Sequence, residues 1–207
     1  MEYTFHLNPS RVFGTFTKDK YDQIQDEQNC DFKRCWEKIH PDIGLIYLCG
    51  NHNVGNRLTP SSVQNFKNAF GDDYLDFWYN RTCNVVLNNI LFSNPTGEPD
   101  LFESQIRWLE GRLDYVSKHG ASQLFVFGNH SWFLYHEDED SQDLDGTSAS
   151  PPKWYPPEGT QGFPDSYFHI NKTYRQVALD LFRQYGVDAC FVEHFHQNLI
   201  SRTEWGM

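Results

Sequence analysis

Three short stretches carry the residue types from which a hydrolytic or metal centre is built. They are Gly50-Asn51-His52-Asn53, Gly128-Asn129-His130 and Glu193-His194-Phe195-His196. Neutral imidazole and amide oxygen are reasonable ligands for zinc, manganese or iron, and imidazole is the side chain that moves protons near neutral pH. His194 and His196 stand two apart, so on an extended chain both side chains point to one face. Such a pair suits two ligands around a metal, and a two-metal clamp makes hydrolysis of a phosphate ester the natural chemistry. Glycine, asparagine and aspartate are also turn formers. Taken alone, Gly50-Asn51-His52-Asn53 therefore reads equally as a turn and as a site.

Each stretch follows an apolar run: Leu45 to Cys49, Leu124 to Phe127, and Val187 to Val192. Runs of this kind predict strands buried on both faces. In open α/β sheets, ligands bind just beyond the carboxyl ends of the strands, and parallel strands bring those ends together. One histidine at a strand end is ordinarily a satisfied surface or core residue, but three at one edge are harder to dismiss.

The elements between them follow from periodicity. Ile24, Phe32, Cys35, Trp36 and Ile39 predict a helix over 21–39, ended by Pro41. Thr59 and Pro60 open a second helix with an apolar face of Val63, Phe66 and Phe70, closed by Gly71. Tyr74 to Trp78 and Asn84 to Leu87 read as two strands joined by a turn at 79–81, with Asn88 and Asn89 following the second. A third helix carries Leu101, Ile106, Leu109, Leu113 and Val116 and ends at Gly120. A fourth spans 171–185 with Tyr174, Val177, Leu181 and Phe182 inward, capped by Gly186. Alternating strand and helix predict a single layered α/β domain over 1–207. Residues 136–166 are different in kind, an acid run followed by a segment rich in proline, glycine and aromatics, and read as a mobile insertion. The acids Glu137 to Asp140 read as solvated surface. Trp132, Trp154, Tyr155 and Phe163 read as pinning a loop rather than lining a substrate path.

Charge narrows the partners. A net charge of -11 opposes a phosphate backbone, which argues against nucleic acid. No apolar run approaches the roughly 20 residues of a membrane span, and Met1-Glu2-Tyr3-Thr4 shows neither the basic start nor the apolar core of a secretion signal. The five cysteines are odd in number and lack CxxC spacing, so neither a structural zinc site nor a disulfide framework is expected. The expectation is a reduced, cytoplasmic protein.

Leu48-Cys49-Gly50-Asn51-His52-Asn53-Val54-Gly55-Asn56 resembles the GNHD(V/I)GN segment of calcineurin-like metallophosphoesterases. The nearest likeness is to the small cytosolic serine/threonine phosphatase branch of that superfamily. It continues through Phe70-Gly71-Asp72-Asp73-Tyr74, Phe77-Trp78, Val86-Leu87-Asn88, Trp108-Leu109, Val126-Phe127 and Phe191 to Asn198. The resemblance implies a layered α/β sandwich of the metallophosphoesterase type, without the N-terminal βαβ unit and the last strands. It implies Asn51 and His194 as ligands of a second metal, His196 as a ligand of the first, and His52 as the general acid for the leaving alkoxide. The family's remaining histidine ligand falls on Asn129 without a gap and on His130 one place later; His130 is favoured on chemistry.

Departures from the family pattern bear on activity. The acidic-x-His/Gln motif and the Gly-Asp motif that supplies the bridging carboxylate have no counterpart, and Thr4-Phe5-His6 reads as a remnant of the segment just after the second motif. Asn53 stands where the family has the aspartate that orients the catalytic histidine, and Glu193 replaces a glycine. The expectation is a metal-dependent phosphoesterase acting on a phosphorylated protein or small phosphoester. Its metal site would be incomplete and hold manganese, iron or zinc as two ions, one or none. The alternative is an inactive binding or regulatory relative, or a shortened product.

Overall fold

The computed structural model describes residues 18–139 and 167–207. Thr4-Phe5-His6, Trp154, Tyr155, Phe163 and most of the expected insertion lie outside the described residues. The chain divides into two compact units, Met1–Tyr47 and Leu48–Met207.

In the first unit, helix α1 spans Lys18–Trp36, with Lys33 and Arg34 placed in its last turn, where cations oppose the helix dipole. Gln23 donates to Glu27 at 3.0 Å, and Arg34 pairs with Asp31 at 3.2 Å. Phe32 packs edge-on against Trp36 and Tyr47. The helix stops short of the expected Ile39, and Cys35 and Trp36, two members of the expected apolar face, are exposed. The strand expected over Leu45 to Cys49 is not formed: residues 44–50 belong to no strand, and Leu45 and Ile46 are 39% and 43% exposed. A buried strand needs a neighbour to receive its ladder hydrogen bonds, and none of the described strands supplies one.

In the second unit, a single turn of helix, α2 (Asn51–Val54), leads to α3 (Pro60–Phe70). The sequence signals for α3 hold. The Thr59 hydroxyl accepts from the Ser62 amide at 3.1 Å, Ser62 Oγ accepts from the Thr59 amide at 3.0 Å, and Pro60 occupies the first turn. Strands β1 (Leu75–Tyr79) and β2 (Thr82–Val86) form an antiparallel hairpin around Asn80-Arg81. After a short helix, α4 (Ile90–Ser93), come α5 (Pro99–Lys118), β3 (Gln123–Phe127), α6 (Lys172–Tyr185) and β4 (Ala189–Phe191). The sheet order is β1-β2-β3-β4, with β2, β3 and β4 parallel. This is a mixed α/β fold, as the alternation of elements predicts.

The core lies on one side of the sheet. Cys83 and Val85 of β2 and Leu124 and Val126 of β3 meet Leu109, Leu113 and Val116 of α5 and Ala178, Leu179 and Phe182 of α6. The buried face of α6 is Arg175, Ala178, Leu179 and Phe182, whereas Val177 is 36% exposed. That face is rotated from the expected one because the arginine belongs to it. Gly186 closes α6 in the left-handed conformation, at φ 69°, and donates to the Phe182 carbonyl.

Candidate functional site

The register brings three strand ends level. Val86, Phe127 and Phe191 stand abreast in β2, β3 and β4. Backbone pairing continues past them: Leu87 N–H donates to Phe127 O at 2.9 Å, Gly128 N–H to Phe191 O at 3.1 Å, and Glu193 N–H to Asn129 O at 3.0 Å. The residues beyond them, Asn88-Asn89, Asn129-His130 and His194, therefore share one edge. Two of the strands end in histidine as expected, but the third ends in two asparagines. Gly50-Asn51-His52 reaches this edge as the start of α2, whose Asn51 N–H lies 3.4 Å from Asn129 Oδ1.

Asn51, Asn129, His130 and His194 are all buried. The His130 and His194 rings stack with centroids 4.0 Å apart at 26°. His194 Nε2 is 3.2 Å from the Tyr167 carbonyl oxygen. A carbonyl only accepts, so this nitrogen carries the proton. Tyr167 also places its hydroxyl 3.5 Å from Asn51 Nδ2, which donates more closely, at 2.9 Å, to Asn56 Oδ1. Asn51 Oδ1 and His130 Nδ1 are buried with no hydrogen-bond partner among the described residues, and so is Asn88 Oδ1. Burial, and secondarily the neighbouring His194, pushes the His130 imidazole down to about 3. His130 is thus a neutral base in the physiological range.

The β3 turn is pinned from β2. Asn89 Oδ1 accepts from the amides of Asn129 at 2.9 Å and His130 at 3.0 Å, while Asn89 Nδ2 donates to the His130 carbonyl at 2.6 Å. At β4, by contrast, His194 and His196 both adopt positive φ, 24° and 55°, where non-glycine residues are strained. His196 and His52 are exposed. Asn53 Oδ1 accepts the Gly50 N–H at 3.1 Å and so closes the first turn of α2.

Among the described residues no three His, Cys, Asp or Glu side chains gather to hold a metal ion. The buried carboxylate of Asp73 is engaged by Lys67 Nζ at 2.9 Å and by Asn88 Nδ2 at 2.9 Å. The described donors, one amide oxygen and two imidazoles, do not fit a carboxylate-bridged binuclear centre. Asn51 Oδ1 and His130 Nδ1 fit part of the shell of one ion.

Sequence reasoning missed Asn89, Tyr167 and a second polar centre. Glu139, expected on the surface, is 8% exposed and accepts the backbone amides of Leu134, Tyr135 and His136. Arg175 is fully buried and donates to the carbonyls of Glu137, Glu139 and Ile170.

A mixed sheet whose parallel strand ends carry asparagine and histidine defines an α/β domain with a candidate site at its carboxyl edge. The chain is homologous to calcineurin-like serine/threonine phosphatases. It is 30% identical over 197 residues to "Serine/threonine-protein phosphatase CPPED1" of Homo sapiens, an alignment covering 93% of this chain and 55% of that protein. The protein of the same name in Danio rerio is 30% identical over 175 residues, covering 84% of this chain and 49% of its own length. The chain spans about half the length of the curated relatives it matches. No protein-family model matches it. The resemblance read from the Gly50-Asn51-His52 segment is thereby borne out.

Proposed function

We propose that this chain carries part of the site of a metal-dependent phosphoesterase acting on a phosphorylated protein or small phosphoester in the cytoplasm. The observation that supports this most is the pair of buried, unpaired acceptors, Asn51 Oδ1 and His130 Nδ1, at the carboxyl edge of a parallel sheet. Buried polar atoms are rarely left without a partner, and an amide oxygen and an imidazole nitrogen are atoms a divalent cation would take as ligands.

Asn51 and His130 would hold one ion, manganese, iron or zinc, with His194 beside them and His196 from the same loop. An ion there would supply Lewis-acid polarisation of a phosphoryl oxygen. His52 protonates the leaving oxygen; its exposure on α2 leaves it open to a bound ester. Asn129 supports the site by accepting the Asn51 N–H, and Asn53 by holding the α2 turn. A second reading, a binding or regulatory protein without turnover, is favoured by the lack of a three-group cluster of His, Cys, Asp or Glu among the described residues.

Elemental analysis together with hydrolysis of an aryl phosphate, with and without added Mn²⁺, tests the proposal. Bound metal and Mn²⁺-dependent turnover that His52→Ala abolishes are expected. Metal-free protein without turnover overturns it. Capture of a phosphoprotein that survives His52→Ala then supports the binding reading.

A further inference from the structure

We infer that Asn89 is the positioning residue of this site: its carboxamide sets the turn that presents His130 and Asn129. The inference rests on the proposed role of His130. Asn89 is 0% exposed, and its three side-chain hydrogen bonds all go to the backbone of Asn129 and His130. One side chain therefore satisfies two amides and one carbonyl that have left the regular sheet ladder. It also fixes where the His130 ring leaves the chain.

The space around Asn89 is matched to this task. A Cβ built on Gly128 would stand 2.5 Å from Asn89 Nδ2 and 2.7 Å from its Cγ, so the carboxamide lies against the glycine and a side chain at position 128 requires it to move. The base of the clamp is itself held. The Asn88 amide donates to Gln105 Oε1 at 2.8 Å, Gln105 Nε2 donates to the Asn88 carbonyl at 3.0 Å, and the Asn88 carboxamide donates to Asp73 at 2.9 Å. Asp73 is paired in turn with Lys67. A carboxamide mounted on a fixed backbone transmits that backbone's position to its partners. Asn89 touches no reacting group; it acts through His130 and Asn129.

The test uses the whole chain with Asn89→Ala, Asn89→Asp, Gly128→Ala and the double variant Asn89→Ala/Gly128→Ala. Amide hydrogen exchange is followed by NMR, and Mn²⁺ alone is titrated while broadening of the His130 and His194 ring signals is read. In Asn89→Ala the Asn129 and His130 amides exchange about tenfold faster or more, while those of Val85 and Val126 in the strands keep their rates. Gly128→Ala gives the same local pattern, because the new methyl displaces the carboxamide, and the double variant adds nothing to either. Asn89→Asp keeps the acceptor for both amides but sets an oxygen against the His130 carbonyl. Its amides stay protected and its His130 ring signals move. If Asn89→Ala does not fold, Asn89→Asp and Gly128→Ala carry the test. Unchanged exchange at residues 129 and 130 in a folded Asn89→Ala or Gly128→Ala protein overturns the inference. So does Mn²⁺ broadening of His130 that is identical in wild type and Asn89→Ala. If Mn²⁺ broadens no ring in the wild type, the metal reading fails, while the exchange rates still decide the role of Asn89.

Discussion

The turns after β3 and β4 both present histidine at the same sheet edge, yet they are held differently. After β3, the backbone amides of Asn129 and His130 and the His130 carbonyl are all bound by one buried carboxamide. After β4, His194 and His196 sit in the left-handed region without being glycine, and His194 is placed by stacking on His130 and by a bond to Tyr167 O. The first turn is set by directional bonds that have no substitute when lost. The second is set by ring stacking together with the His194 bond to the Tyr167 carbonyl, and it holds strain that surrounding contacts must offset. A site assembled from both has one rigid and one adjustable wall.

Asn89→Ala breaks the comparison most severely. It orphans two buried N–H groups and a carbonyl, each costing roughly 1–3 kcal/mol. The expected loss is on the order of 4 kcal/mol, read as a lower urea midpoint with unchanged slope. A loss below about 1 kcal/mol would mean that water enters and satisfies the turn, and the contrast between the two walls would disappear.

Acid is the next lever. His130 has a folded value of about 3 against its ordinary 6.5. Between those values the unfolded chain binds a proton that the folded one refuses. Stability from this group is therefore complete above pH 6.5 and falls as pH drops toward 3, by about 1.4 kcal/mol per pH unit. By pH 4.5 the metal-free protein should lose about 2.7 kcal/mol through this group. A His130→Gln protein, compared by denaturation at pH 7 and pH 4.5, should lack that share of the dependence. An equally steep fall in the variant would assign the acid sensitivity to other groups.

The rigid wall was half visible in the sequence and the adjustable one almost entirely. Glycine, asparagine and histidine after apolar runs mark strand ends, and β3 and β4 fall where Leu124 to Phe127 and Val187 to Val192 predict them. Asn88 and Asn89 were equally visible after β2, but asparagine after a strand is ordinary turn chemistry. Only register shows that Asn89 faces the next turn rather than its own. The run Leu45 to Cys49 has every strand property except a partner, and pairing is a property of the sheet that local composition does not encode. Glu139 lay hidden in an acid run whose members look alike, although among its described members only Glu139 faces three backbone amides. Arg175 did leave a signal: it stands three, four and seven residues before Ala178, Leu179 and Phe182, on one helical face. An arginine on such a face is expected to reach solvent along its stem; here it stays buried because the carbonyls of Glu137, Glu139 and Ile170 converge on it.

His194→Ala acts on the adjustable wall and has a smaller effect. It removes a stacked, buried ring beside Tyr167 and Phe168 but leaves the positive-φ strain in place, because alanine keeps the Cβ. The expected loss is about 1–2 kcal/mol in the denaturation midpoint. The same change removes the charge repulsion that helps hold His130 down, and it admits water. The His130 titration followed by NMR should therefore move upward. If it stays near 3, the stack observed between the two rings does not govern the protonation of His130.

The smallest effect belongs to His196→Gly, and its smallness is the informative part. His196 is exposed at φ 55°. Glycine relieves a left-handed strain of roughly 1 kcal/mol but loses about as much through the greater freedom of the unfolded chain. The two terms oppose each other, so the midpoint should move by less than about 0.5 kcal/mol in either direction. Metal binding has no such compensation. If His196 contributes a nitrogen to an ion beside Asn51 and His130, the glycine variant binds Mn²⁺ more weakly at unchanged stability. Unchanged Mn²⁺ affinity would remove His196 from the site and leave the second wall to His194 alone.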